Sequence, residues 1–474
     1  MSETSLKFGT SGLRGLATEL NGPPAYRYTR AFLEVLIDRG TVSAGSHVAL
    51  GRDLRSSSPG IAGRVAAAVA DLDLRAIDCG ALPTPALSLF AAARGIPAIM
   101  ITGSHIPDDR NGLKFYSPAG EIDKRDEAAI TERVCRVPAS SAVASSSTEA
   151  DQTALEDYKA RYLDFLPGEP LAGLRIGVYQ HSSVARDLLF DVLCHLGADA
   201  HRLGRSETFI PVDTEALRPQ DVASLERWAR VDRFDAIVST DGDADRPLIA
   251  DENGRFVRGD LVGAITSHWL AAAAIVVPVT ANSALEQGGR FAQVVRTRVG
   301  SPYVIEGMAT ARRQTQGCVV GFEANGGVLL ATQAHRQGRT LAPLPTRDAL
   351  LPILACLATV AKRGMPLSAI AAEFGFRDAR SDRLTEVAPE VSTIFLDDVS
   401  QSEELDGIGR VTDVDTTDGV RLTLAQGEII HYRASGNAPE LRCYVEAEAA
   451  ERTAELLAIG LGFAADRTKA IEKR

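Results

Sequence analysis

Ala98-Ile-Met-Ile-Thr102-Gly-Ser-His-Ile-Pro-Asp-Asp-Arg-Asn-Gly-Leu-Lys114 joins a short apolar run to a loop that carries a hydroxyl, an imidazole and an amine. The run is too short for a helix and is bounded by glycine and proline, so Ala98–Thr102 reads as a buried strand. The same unit recurs outward in both directions. Ser46–Gly51, Leu174–Tyr179, Ala200–Leu203 and Phe234–Ser239 read as strands. Pro59–Leu72 and Ser183–Leu196 are Ala/Leu-rich and read as helices, the first with serines ahead of it as caps. Alternating β and α elements predict α/β domains with mixed, largely parallel sheets. In open sheets of that kind ligands gather at the carboxyl ends of strands, where Ser104 stands.

The 474 residues are enough for several domains. With 45% apolar and 24% charged residues, the composition excludes a wholly disordered chain. The net charge of −11 makes nucleic acid a poor partner. No apolar run approaches the roughly 20 residues that cross a bilayer, so no membrane partner is expected either. The start, Met1-Ser-Glu-Thr-Ser-Leu-Lys, lacks an apolar signal region. A cytoplasmic location and six reduced, buried thiols are therefore expected. No Cys or His spacing suggests zinc. Pro138–Thr153, rich in Ser and Ala, reads as a surface linker. After about residue 370, short strands with turn signals precede a helix over Ala449–Lys473, which predicts a smaller α+β domain on an antiparallel sheet.

Four segments carry residue types that suit chemistry better than packing. In the first, Ser104 is a nucleophile or phosphate carrier if a base or metal activates it, and otherwise a capping serine in a turn. The second, Asp241-Gly-Asp-Ala-Asp245-Arg246, follows the strand FDAIVST. Read as extended, it sends Asp241, Asp243 and Asp245 to one side, a donor set for Mg²⁺ or Ca²⁺. An EF-hand loop would also place an acid at Glu252, but its sixth position should be glycine and is Arg246. A solvated acidic turn is the plain alternative. The third, Arg433-Ala-Ser-Gly-Asn-Ala-Pro-Glu-Leu-Arg442, offers Ser435, Gly436 and Asn437 between two arginines. It suits a phosphate, or is a hairpin turn with two exposed arginines. The fourth, Gly321-Phe-Glu-Ala-Asn-Gly-Gly327, presents Glu323 and Asn325 to a sugar's hydroxyls, or is a plain loop. Arg14, in the glycine-rich Phe8–Gly15, and Arg298, ahead of a helix start, complete the set.

Taken in order, these segments resemble the α-D-phosphohexomutases, and the resemblance runs from Phe8 to about Glu446. FGTSGLRG is similar to that family's amino-terminal loop, TGSHIPDDRNGLK to its phosphoserine loop and DGDADR to its metal loop. GFEANGG is similar to the sugar loop and RASGNAPELR to the phosphate loop. The resemblance is strongest to phosphomannomutase/phosphoglucomutase members. It implies an isomerase that interconverts hexose 6-phosphate and hexose 1-phosphate, mannose first among the sugars. Ser104 would be phosphorylated, and Mg²⁺ would bind Asp241, Asp243, Asp245 and the phosphoryl group on Ser104. Arg14, His105, Lys114 and Arg246 would stabilise charge and move protons. Arg298, Glu323 and Asn325 would hold the sugar, and Arg433, Ser435, Gly436, Asn437 and Arg442 the other phosphate. A hexose 1,6-bisphosphate would serve as activator, and a homodimer is compatible with the family. Four domains around one cleft are implied: 1–148 with the phosphoserine loop, 149–252 with the metal loop, 253–370 with the sugar loop and 371–474 with the phosphate loop. The sugar loop departs from the common G-E-x-S-G-H, with Asn325 for serine and Gly327 for histidine, and Asn437-Ala438 stands where Thr-Glu is common. Phosphoglucomutase, phosphoglucosamine mutase, a catalytically silent sugar-phosphate binder and a Ca²⁺-binding module are the alternative readings.

Overall fold

A computed structural model describes residues 4–9, 12–140, 142–144, 150–435 and 439–473. Four main sheets succeed one another along the chain. The first runs Lys7–Phe8, Leu13–Leu16, Arg110–Ser117, Ala98–Ile101, His47–Arg52 and Arg75–Ala81 in spatial order. Its last three strands are parallel, and the hairpins on the other side are antiparallel. The second sheet orders Pro247–Ala250, Ala236–Thr240, Arg175–His181 and Asp199–Arg205. The third orders Val294–Thr297, Ala274–Pro278, Val319–Phe322, Val328–Leu330 and Leu344–Asp348. Each again joins parallel strands to antiparallel ones. All three sheets are thus mixed α/β. The antiparallel share exceeds what alternation alone suggests: some pairs are sequence neighbours joined without a crossover helix, and others, such as Leu13–Leu16 with Arg110–Ser117, join distant segments.

The fourth sheet, from Asp378–Thr385 to Glu440–Ala447, is antiparallel throughout and carries the helices Pro389–Ser400 and Ala450–Glu472. This is the α+β unit expected after residue 370. The strands and helices read from the sequence lie within a few residues of Arg175–His181, Arg186–His195, Ser58–Ala70 and Ala236–Thr240. Cys135 and Cys194 are exposed, against the expectation that all six thiols are buried, because each lies on the solvent side at or near a helix end.

The apolar cores join three of the four sheets and leave the fourth with its own. One apolar cluster runs without interruption from Ala49 to Phe374 and draws on all three α/β sheets. The helix Thr153–Phe165 is its bridge. Tyr158 and Tyr162 are fully buried, and both donate hydroxyl hydrogen bonds to Asp348 at the end of the third sheet. A second cluster fills the other face of the first sheet. The C-terminal unit has its own cluster, from Val387 to Ile471. Polar contacts tie it to the rest: the Ser283 amide and hydroxyl to Glu446, the Val299 amide to Asp418, and the Asn282 amide group to the Arg377 carbonyl. The Ser/Ala-rich segment is pinned at two points, by the Ala144 amide to the Gly63 carbonyl and by the Asp151 amide to the Asp78 carbonyl. Residues 141 and 145–149 of it lie outside the described residues.

Candidate active site

Ser104 stands beyond the end of the first sheet's strand Ala98–Ile101. Its φ is 54°, a left-handed conformation that a side chain adopts only at a cost. A buried scaffold holds it there. The Ser104 amide donates to Thr102 Oγ1 at 2.7 Å, and Thr102 Oγ1 donates to Asp53 Oδ2 at 2.8 Å. Arg55, fully buried and paired with Asp53, donates to the carbonyls of Ser104, Ile106, Pro107 and Arg110. One guanidinium thus fixes the whole loop by its backbone, which a planar five-donor group can do and a lysine cannot.

The second sheet delivers the aspartates. Asp241–Arg246 is not extended, as the sequence suggested. It turns sharply between two antiparallel strands, with the Asp241 amide on the Arg246 carbonyl and Ala244 at φ 58°. The turn, not strand alternation, gathers the carboxylates. Gly242 lets the turn press on the serine loop, since a Cβ there would lie 2.7 Å from the Ser104 carbonyl oxygen. Ser104 Oγ donates to Asp241 Oδ2 at 2.5 Å, across 137 residues of chain. Glu252 lies elsewhere, bonded to Ser368, so no EF-hand forms.

Among the described residues, Asp241, Asp243 and Asp245 form the one acidic cluster able to hold a metal, with ligand atoms within 4.8 Å of one another. Asp243 Oδ2 accepts from Lys114 Nζ and from Thr84 Oγ1, both at 2.6 Å. Asp245 Oδ2 accepts from Lys114 Nζ at 2.6 Å and from Arg347. Oδ1 of both residues is buried with no hydrogen-bond partner. Buried carboxylate oxygens left over in this way fit a hard divalent cation. Burial, with the charges of Asp243 and Asp245, pushes the Asp241 carboxyl well above its ordinary range. Burial acts the same way on Asp245, but Arg347, Lys114 and Arg246 outweigh it and hold that carboxyl far below. Burial, then Arg246 and Arg14, push the His105 imidazole down to about 2, so it is neutral. Its Nδ1 lies 3.2 Å from Ser104 Oγ.

Above this centre opens a cleft of about 860 Å³, lined by Arg14, His105, Arg246, Arg298, Glu323, Asn325, Arg347, Arg433, Ser435 and Arg442 among others. Ser104, Lys114 and the three aspartates do not line it; Ser104 meets His105 of its wall, and Asp245, which also binds Lys114, meets Arg347 of its wall. The structure therefore brings Arg14, His105, Arg246, Arg298, Glu323, Asn325, Arg433, Ser435 and Arg442 to one cavity, with the serine and the aspartates beside it. Arg433 and Arg442 are cross-strand partners of a hairpin, as the plain reading allowed, yet both face the cleft. Arg433 Nε is held by Asp418 at 2.8 Å. Gly436 and Asn437 lie outside the described residues. The Asn325 side-chain oxygen accepts from the Gly327 amide and shapes its own loop. Sequence reasoning missed Arg55, Thr84, Asp418 and Arg347. Only Arg347 left a trace, a charged Arg-Asp pair inside the apolar stretch LAPLPTRDALLPIL.

The chain matches the family models described as phosphoglucomutase/phosphomannomutase, alpha/beta/alpha domain I, over residues 5–139, alpha/beta/alpha domain III over 258–375, and C-terminal domain over 384–459. A phosphomannomutase of Sinorhizobium fredii is 47% identical over 96% of this chain and 98% of its own. One from Salmonella muenchen is 42% identical over 95% and 94%. The crystal structure of a phosphoglucomutase/phosphomannomutase family protein from Burkholderia thailandensis superposes with a TM-score of 0.74 over 97% of each chain; at 20% identity this is likeness of fold.

Proposed function

The chain belongs to the phosphoglucomutase/phosphomannomutase family and is a hexose-phosphate mutase, and we propose that it interconverts mannose 6-phosphate and mannose 1-phosphate through a phosphoserine at position 104. The observation that carries this reading is the 2.5 Å contact of Ser104 Oγ with Asp241, next to His105 of a cleft that Arg433 and Arg442 also line. The names of the two relatives support mannose as the sugar.

In this reading the phosphoryl group leaves Ser104 Oγ for the free hydroxyl of a hexose monophosphate. The bond from phosphorus to the serine oxygen breaks, a bond to the sugar oxygen forms, and the sugar hydroxyl's proton ends on the departing serine oxygen, passed by the groups around the centre, His105 among them at 3.2 Å. The product is a hexose 1,6-bisphosphate. It turns over in the cleft and returns its other phosphoryl group to Ser104. The same bisphosphate, supplied from outside, loads the serine and acts as activator. Asp241, Asp243 and Asp245 would hold Mg²⁺, which supplies fixed positive charge against the phosphoryl oxygens. Lys114, Arg14 and Arg246 add charge from the protein side. Glu323, Asn325 and Arg298 meet the sugar. Arg433, Ser435, Asn437 and Arg442 clamp the phosphate that is not reacting, so the clamp must accept either end of the sugar. We read four domains, 1–148, 149–252, 253–370 and 371–474, and one main sheet within each supports the division. A cytoplasmic location belongs to the same reading.

The test compares turnover of mannose 1-phosphate, glucose 1-phosphate and glucosamine 1-phosphate with Mg²⁺ and a trace of hexose bisphosphate. Mannose 1-phosphate should give the highest kcat/KM, and Ser104→Ala should abolish turnover of all three. Full activity in Ser104→Ala would rule out the phosphoserine. A preference for glucose 1-phosphate or glucosamine 1-phosphate would reassign the sugar alone.

A further inference from the structure

Arg347 closes the third sheet's strand Leu344–Asp348 and is only 4% exposed. Its guanidinium meets two carboxylates from different loops. Nη1 donates to Glu323 Oε2 at 3.1 Å, while Nη2 and Nε donate to Asp245 Oδ2 at 2.8 and 3.1 Å. Arg347 and Glu323 line the cleft, and Asp245 meets Arg347 from outside the lining. A Cβ at position 327 would lie 2.9 Å from Arg347 Cδ, 3.0 Å from its Cβ and 2.8 Å from the Asp245 carbonyl oxygen. Any residue but glycine there would drive the arginine stem away. The departure of the sugar loop at Gly327 and the presence of Arg347 are therefore one feature.

A buried ion pair is a poor way to gain stability, since apolar residues of similar volume often do as well. Its use is geometry. The planar fork donates in two directions at once and can fix two carboxylates relative to each other, which an ammonium does less well. Glu323 reaches its place through a loop, and no other side-chain bond to its carboxylate appears among the described residues. Left to itself, that side chain has rotamers to lose when a sugar binds. Building on the functional reading above, we infer that Arg347 is a positioning residue of the sugar site, holding the Glu323 carboxylate ready for the substrate's hydroxyls and tying it to the loop of the aspartates.

Calorimetric binding of mannose 6-phosphate to the full chain tests this without relying on turnover. Wild type is compared with Arg347→Met, Arg347→Lys, Glu323→Gln and the double variant Arg347→Met/Glu323→Gln. Loss of one charge-assisted contact to the sugar corresponds to roughly a tenfold rise in Kd. We expect about that for Arg347→Met and for Glu323→Gln, with no further loss in the double variant, because the two act as one unit. Arg347→Lys should recover part of the loss, since it keeps the charge and loses the fork. If Arg347→Met does not fold, Arg347→Lys against Glu323→Gln gives the same comparison. A merely structural arginine would lower the thermal midpoint and leave Kd within twofold, and that result overturns the inference. So does a double variant whose loss is the product of the single losses. Wild type that binds neither this ligand nor glucose 6-phosphate or glucosamine 6-phosphate overturns the functional reading, and this inference with it.

Discussion

At the scale of single residues, the site is made by close approach that only small or oddly configured residues allow. Ser104 sits in a left-handed conformation, and Gly242 brings the aspartate turn onto its carbonyl. Gly242→Ala would place a methyl group 2.7 Å from that oxygen, so one of the two loops must yield. A displacement near 1 Å at a reacting centre costs about a hundredfold in rate. Gly242→Ala should therefore lower kcat by about that factor while the far-ultraviolet circular dichroism stays unchanged; a kcat within threefold of wild type would show that the loops are not so tightly registered. The residues that do this were partly legible in the chain. Serine, histidine and three alternate aspartates in short loops are poor core residues and announce themselves. Arg55 and Thr84 do not, because their role depends on which carbonyl or carboxylate a distant segment brings to them.

At the scale of elements, the helix Thr153–Phe165 joins the first sheet to the third. It packs on the helix Thr84–Arg94, and its two buried tyrosines meet the Asp348 carboxylate, adjacent in sequence to Arg347. A hydrogen bond to a charged group contributes about 1.5–3 kcal/mol. Tyr158→Phe removes one such donor and keeps the ring, so it should destabilise the three-sheet body by about that amount. Denaturant unfolding measures the loss, and kcat should stay within a factor of two or three, since the residue lines no part of the cleft. In the sequence this segment is marked only by the Ser/Ala-rich linker ahead of it. The partner its tyrosines share, 190 and 186 residues further along the chain, is a fact of packing.

At the scale of the whole molecule, one apolar core fuses three sheets while the fourth unit keeps its own. Calorimetry should therefore resolve the C-terminal unit as a separate transition. That transition should also depend on pH through His431, which is 1% exposed and donates from Nε2 to the Asp418 carbonyl. Burial, helped by Arg421, pushes its imidazole down to about 4 from an ordinary 6.5. Between those values the unfolded chain binds a proton that the folded one refuses, so stability rises with pH across the window and is lost as pH falls through it. Going from pH 7.5 to 5 should cost the C-terminal transition about 2 kcal/mol from this group. His431→Gln should flatten the dependence; an equal pH slope in that variant would remove His431 as its source. Polar contacts at Glu446, Asp418 and Arg377 join the C-terminal unit to the rest while its apolar core is its own, so it should hinge when sugar binds. Solution scattering should show a smaller radius of gyration when mannose 6-phosphate is added, and an unchanged profile would count against closure.

The amino-acid sequence by itself determined the α/β alternation, the antiparallel C-terminal unit and the loops rich in chemistry, because strand, turn and donor preferences are set by residues near in the chain. It also carried the family resemblance, since ordered motifs need no coordinates to be recognised. Only the tertiary structure decided that Ser104 Oγ meets Asp241, that the aspartates converge through a turn, and that Arg347 fills the room left at Gly327. The first and last of those contacts join residues 137 and 20 positions apart. They depend on how strands and sheets pack, and no local pattern records that.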